Sequence, residues 1–167
     1  ERKTFEDHFY MIPFLEYKPE FIWEKWSNVS VLIKDTLSED ITYLVKVGKG
    51  FTDLHKFPSD KEYQYAITKS DKLDSIRLFG KVHLLNKVKH LKFALYKDLN
   101  VQKFPNYVVD VDLKKRFSFN YLKSDIYVGI LFDDLNNNHK PDIDKESIGF
   151  LQDSIRLNKS TQLDVTL

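Results

Sequence analysis

"RFSFNYLKSDIYVGILF", residues 116–132, decides the fold. Phe117, Phe119 and Tyr121 alternate with other residues in its first half, and Ile126, Val128, Ile130 and Phe132 alternate in its second. Side chains on a strand point to opposite faces with a period of two, so each half reads as a strand with one apolar face.

The same period extends in both directions from this stretch. "SIRLFGKVHL" (75–84) aligns Ile76, Leu78, Val82 and Leu84 across Gly80, "LKFALY" (91–96) aligns Leu91, Phe93 and Leu95, and "YVVDVDL" (107–113) aligns Tyr107, Val109, Val111 and Leu113. "SIRL" (154–157) and "QLDVTL" (162–167) read as closing strands. In the N-terminal half, "FIWEKW" (21–26) pairs Phe21 with Trp23, and "NVSVLIKDTL" (28–37) aligns Val29, Val31 and Ile33. There too, "ITYLVKVG" (41–48) aligns Ile41, Tyr43, Val45 and Val47, and "YQYAIT" (63–68) aligns Tyr63, Tyr65 and Ile67. The pattern pauses at the charged "KSDKLD" (69–74), which places a boundary between residues 1–74 and 75–167. Short strands at this spacing predict an all-β chain of two small sandwich domains in tandem. No stretch of helical period and useful length competes.

Composition fits that expectation. Of 167 residues, 42% are apolar and 14% aromatic, with five Gly and five Pro, a mix that favours pleated surfaces. The 26 basic and 25 acidic residues are interspersed and leave a net charge of +1, with four Arg in all. A balanced, Arg-poor chain lacks the electrostatic footprint of nucleic-acid binding. Absence of cysteine excludes disulfides, thiolate metal sites and cysteine nucleophiles. No apolar run reaches the roughly 18 residues of a membrane helix. The five histidines, His8, His55, His83, His90 and His139, are scattered, and no nucleophile elbow, zinc pair or phosphate loop is present. The expectation is a non-catalytic protein.

One segment concentrates oxygen ligands: "FDDLNNNHKPDIDKESIGF", residues 132–150. Counting from Asp134, side-chain oxygens fall at positions one (Asp134), three (Asn136), five (Asn138), nine (Asp142) and thirteen (Glu146), and Lys140 offers a backbone carbonyl at seven. Calcium takes six to eight oxygens, and loops with this alternation wrap around it. At position six, where such loops use Gly for a sharp turn, stands His139, and Asn-rich loops also turn corners by capping their own backbone. Calcium and a self-bonded loop are the two readings. A second candidate surface is aromatic: Trp23, Trp26, Tyr63 and Tyr65 suit either a sugar-stacking platform or a sandwich core, and core packing is the expectation.

Taken in order, "ITYLVKVGKGFTDLH" (41–55), "LDSIRLFGKV" (73–82), "LKFALY" and the run 104–150 resemble the Ig-like-domain envelope lipoproteins common in Bacteroidetes. Ile41, Thr42, Tyr43, Gly48 and Asp53 fall on the motif that ends their bacterial Ig-like domain. Phe117, Phe119, Leu122, Lys123, Tyr127, Asp134, Asn136, Asn138, Asp142, Glu146, Ile148, Gly149 and Phe150 fall on that of the prealbumin-like, carboxypeptidase-regulatory-like sandwich that follows it. His139 departs from that motif's Gly. The resemblance implies an exported cell-envelope lipoprotein. Its lipid-bearing N-terminus and the first strands of its Ig-like domain would precede Glu1, and it would act as an accessory subunit with protein partners in an outer-membrane or surface complex. A carbohydrate-binding module at the cell surface is the alternative. Asp35-Thr36-Leu37, Asp74-Ser75-Ile76 and Asp153-Ser154-Ile155 resemble the sequon for O-glycans on exported Bacteroidetes proteins, which makes Thr36, Ser75 and Ser154 candidate modification sites.

Overall fold

The computed structural model describes residues 1–25, 28–53, 55–83 and 88–166; Trp26 and Leu84, named above, lie outside the described residues. The chain is almost entirely β and divides into two compact units, Glu1–Lys72 and Leu73–Leu167.

The first unit opens with a helix that period counting does not reveal, α1 (Arg2–His8). Its apolar contribution is Phe5, one residue, which leaves no repeat to detect. The strands are β1 (Phe9–Ile12), β2 (Glu20–Glu24), β3 (Asn28–Leu32), β4 (Thr42–Val47) and β5 (Tyr63–Thr68). An antiparallel sheet runs in the order β1-β4-β5, and β2 and β3 form a separate hairpin that places Phe21 opposite Val31 and Trp23 opposite Val29. Ile33 falls just past β3. Phe5 meets the rings of Phe21, Trp23 and Phe51 edge-on at 6.3, 5.5 and 5.8 Å, the geometry that ring quadrupoles favour. Trp23 is half-buried there, with its indole N–H donating to Glu6 Oε1 at 2.8 Å.

In the second unit the strands are β6 (Ile76–His83), β7 (Leu91–Tyr96), β8 (Tyr107–Asp110), β9 (Arg116–Leu122), β10 (Asp125–Asp133) and β11 (Ile148–Phe150), followed by β12 (Ile155–Leu157), β13 (Thr161–Gln162) and β14 (Val165–Thr166). One sheet has the order β11-β10-β7-β8, with β12 also on β10. In the other, β6 lies between antiparallel β9 and the parallel pair β13 and β14. Phe93 of the first sheet packs edge-on against Phe117 and Phe119 of the second, at 4.8 and 5.3 Å, so two apolar faces close into a sandwich core. Leu78, Phe93, Leu122, Tyr127 and Ile130 are fully buried.

Several expected faces need correction. Strand β7 is buried along its whole length, because it is central in its sheet and covered on both faces. On β10, Tyr127, Gly129 and Leu131 are buried as well as Ile130 and Phe132, whereas Ile126 is exposed. Tyr121 takes φ +58° where the β6–β9 register shifts, and that extra residue turns Leu122 into the core in its place. Leu113 lies past the end of β8 in a tight turn and is fully exposed. Tyr63, Tyr65 and Ile67, expected in the core, are exposed, at 44%, 67% and 37%; β5 is an edge strand, paired among the described residues only with β4.

Candidate functional site

The connection from β10 to β11 brings the oxygen-bearing residues together. Asp134 leaves β10 with its amide donating to the His90 carbonyl at 3.0 Å, and it is buried. Its two carboxylate oxygens accept backbone N–H groups from further along the loop: Oδ1 from Asn138 and Oδ2 from His139, each at 3.0 Å. Asn136 Oδ1 accepts from the Asn138 amide at 3.0 Å, and Asn138 Oδ1 from the Lys140 amide at 2.8 Å. These are local side-chain to backbone turns, which explain why alternate Asp and Asn residues fold this segment back on itself. Glu146, also buried, closes the far side: Oε1 accepts from Leu135 N at 2.9 Å and Oε2 from Asp142 N at 3.0 Å.

Histidine at the sixth position does not prevent the turn. His139 takes φ +62° and Asn137 φ +55°, the left-handed region that Gly enters freely and that Asn and His enter more often than most residues. The N–H of His139 is held by Asp134 Oδ2, and its Nδ1 stands 4.0 Å from the same oxygen. The backbone of the loop therefore makes the sharp turn that a calcium loop needs.

Side-chain orientation tells a different part. The amide nitrogens of Asn136 and Asn138 both donate to Asp142 Oδ2, at 2.6 and 3.2 Å. Among the described residues no three His, Asp or Glu side chains converge as a metal cluster. As arranged, the loop satisfies itself. Liganding would rest on the order of Asp134, Asn136, Asn138, Lys140, Asp142 and Glu146 after both Asn amides reverse, which would turn two carbonyl oxygens towards the Asp142 carboxylate.

A buried cation anchors the loop to the sheet. Lys92 is 5% exposed, with Nζ 2.6 Å from Asp110 Oδ1 and 3.6 Å from Asp134 Oδ2. Sequence reasoning missed this link. A usable signal exists, since Lys92 shares its phase with Ala94 and Tyr96 in an otherwise apolar strand, and a buried ammonium needs an anionic partner.

The other candidates lie apart. Thr36, Ser75 and Ser154 are all exposed. His8 Nδ1 is 2.6 Å from the Thr4 carbonyl oxygen, while His55, His83 and His90 are exposed. Titration is perturbed in two ways. Burial pushes the phenols of Tyr96 and Tyr127 well up and that of Tyr107 up, and hydrogen bonds to Arg116 and Lys97 hold Asp112 and Asp125 below the usual carboxylate range. Compared with protein-family models, curated proteins and solved structures, the chain has no match.

Proposed function

We propose that this chain is a non-catalytic binding or scaffold protein of the cell envelope. In this reading it is an accessory subunit of an outer-membrane or surface complex, of the kind that the resemblance to Bacteroidetes Ig-like-domain lipoproteins implies, with an Ig-like first unit and a prealbumin-like second. The observation that carries it is the edge strand β5, whose outer side has no strand partner among the described residues and whose Tyr63, Tyr65 and Ile67 side chains are exposed in a row. Long apolar edge strands are hazards unless something covers them, and strand addition by a partner is a recurrent way of covering them. Affinity capture of the native protein from a membrane fraction, read by mass spectrometry, tests the reading. One or more envelope proteins are expected to co-purify, and Tyr65→Lys should release them; a lone monomer from both forms overturns it.

Calcium in the loop is a second proposal, supported by the ligand order and by the left-handed His139. A folded-state site raises the melting midpoint when its ion is added. Millimolar calcium against chelator is expected to raise it, and Asn136→Ala to remove the rise. An unchanged midpoint leaves the hydrogen-bonded loop alone.

The rival reading is a carbohydrate-binding module, for which Trp26, one of the candidate platform aromatics, lies outside the described residues.

A further inference from the structure

We propose that β5 pairs with β5 of a second copy of this chain, antiparallel about a two-fold axis at Ala66. This pairing rests on the reading that an added strand covers the β5 edge, and it names the occupant.

The two edges of the first unit's sheet differ. At β1 the strand is short and Pro13 follows at once, and a residue without an N–H blunts an edge. Along β5, Tyr63–Thr68 pair with β4 in unbroken register, with no proline, bulge or charge, so the strand carries no device that keeps another strand away. Tyr63, Tyr65 and Ile67 share a face with Val47, Val45 and Tyr43 of β4. Tyr43 is buried and the three β5 side chains are exposed, so cover on that face runs out towards the edge.

Charge at the strand ends selects the occupant. Directly opposed residues of an antiparallel pair share a face, so a two-fold axis between copies passes through a residue and its own counterpart. An axis at Ala66 sets Tyr65 against Ile67 of the second copy, an aromatic and β-branched pair, and Gln64 against Thr68, whose side chains can hydrogen-bond. Continued past the strand ends, the same register sets Lys61 against Asp71 and Asp60 against Lys72. All four are exposed, and among the described residues none of their side chains forms an ion pair. Glu62 and Lys69 beside them are already engaged, with Lys46 at 2.9 Å and Glu39 at 3.6 Å. By symmetry each pairing occurs twice, so opposite charges close both ends of the ladder. Other axes lose this match. At Tyr65, Lys61 faces Lys69; at Ile67, Lys61 faces Leu73 and Asp71 faces Tyr63.

Sedimentation velocity of the full chain, from low micromolar to submillimolar concentration, tests the pairing. A monomer–dimer equilibrium is expected. Lys61→Glu and Asp71→Lys each turn two attractions into two repulsions and should weaken it about tenfold or more. Combined in one chain, the two substitutions exchange the signs and should restore association to within about threefold of the original. Tyr65→Lys should abolish the dimer, and Lys18→Glu, an exposed site in the first unit with the same change of charge, should leave it unchanged. Circular dichroism checks that each variant is folded. A monomer at every concentration overturns the self-pairing alone; the strand-addition reading then stands or falls on whether Tyr65→Lys releases an envelope protein from the captured chain. A dimer that the single substitutions leave intact, that the double substitution does not restore, or that Lys18→Glu weakens equally also overturns it.

Discussion

His139 donates its backbone N–H to Asp134 Oδ2 at 3.0 Å while holding φ +62°. The hydrogen bond is made to a buried carboxylate, so it secures a backbone conformation that an L-residue adopts at a cost of roughly 1–2 kcal/mol. His139→Gly removes that cost and adds the greater unfolded-state freedom of Gly, roughly 0.5–1 kcal/mol. The two nearly cancel, and stability should change by less than about 1 kcal/mol. His139→Val places a β-branched residue in the left-handed region and should destabilise by about 1–3 kcal/mol. Urea unfolding midpoints distinguish the pair; a Val variant as stable as the Gly variant would show that the turn does not persist in solution.

Asp134 serves two roles, accepting two loop amides and lying 3.6 Å from buried Lys92. Asp134→Ala leaves both amides and part of the ammonium's compensation unmade. It should cost about 3 kcal/mol or more, as for one-sided removal of a buried ion pair. Lys92→Met keeps the stem volume and leaves Asp134 its amide bonds, so its cost should be smaller. The double variant should be less destabilised than the sum of the two, with a coupling of about 1 kcal/mol or more by double-mutant cycle. Strict additivity would mean that the Lys92–Asp134 contact contributes nothing.

Much of the sandwich was legible because period two records that the two faces of a strand differ. That period does not say which neighbour covers a face. Tyr63, Tyr65 and Ile67 alternate as well as any core strand, yet they are exposed on β5, an edge of its sheet, a fact of topology and not of local pattern. "LKFALY" reads as one-faced because Lys92 is charged, but an acid from the neighbouring strand and one from the loop let it be buried. The left-handed Tyr121 is a bulge that shifts Leu122, the last residue of β9, by one place, and nothing in "FNYL" signals it. The loop was more legible than the sheets, since Asp and Asn at alternate positions act on their own backbone. Its anchors, Lys92 and the His90 carbonyl, come from far along the chain.

Gly80 marks where the C-terminal strand crosses. A Cβ built there would lie 1.8 Å from the Leu163 carbonyl oxygen, whereas one on Gly48 would find nothing closer than 3.7 Å. Between β13 and β14 the ladder is interrupted: Leu163 N bonds Phe79 O at 2.9 Å, and the Asp164 side chain caps Lys81 N. Backbone cannot yield as a side chain tip can, so Gly80→Ala should displace residues 161–166 from β6 and cost at least about 2–3 kcal/mol. Hydrogen exchange should show faster exchange at Leu163 and Lys81, and Gly48→Ala should leave both unchanged. Unchanged protection in Gly80→Ala would refute the close crossing.

Tyr107 and Tyr127 meet edge-on at 5.8 Å, with the Tyr127 hydroxyl donating to the Lys123 carbonyl at 2.8 Å. Burial is the main cause that raises both phenols, and Tyr96 with them, above the ordinary tyrosine range, because the phenolate cannot be solvated there. A folded-state pKa raised above the unfolded value contributes stability that is fully present below roughly pH 10 and is lost as pH rises past it. The protein should therefore unfold in alkali, with the Tyr96 and Tyr127 phenols ionising at the unfolding transition and not before it. Absorbance of phenolate at pH 11, compared with that in strong denaturant, should fall short by about two tyrosines, Tyr96 and Tyr127, while the fold survives. Tyr127→Phe should reduce the shortfall by one, losing about 1 kcal/mol for the missing hydrogen bond. Full ionisation of all nine tyrosines in a still-folded chain would contradict the burial of this core.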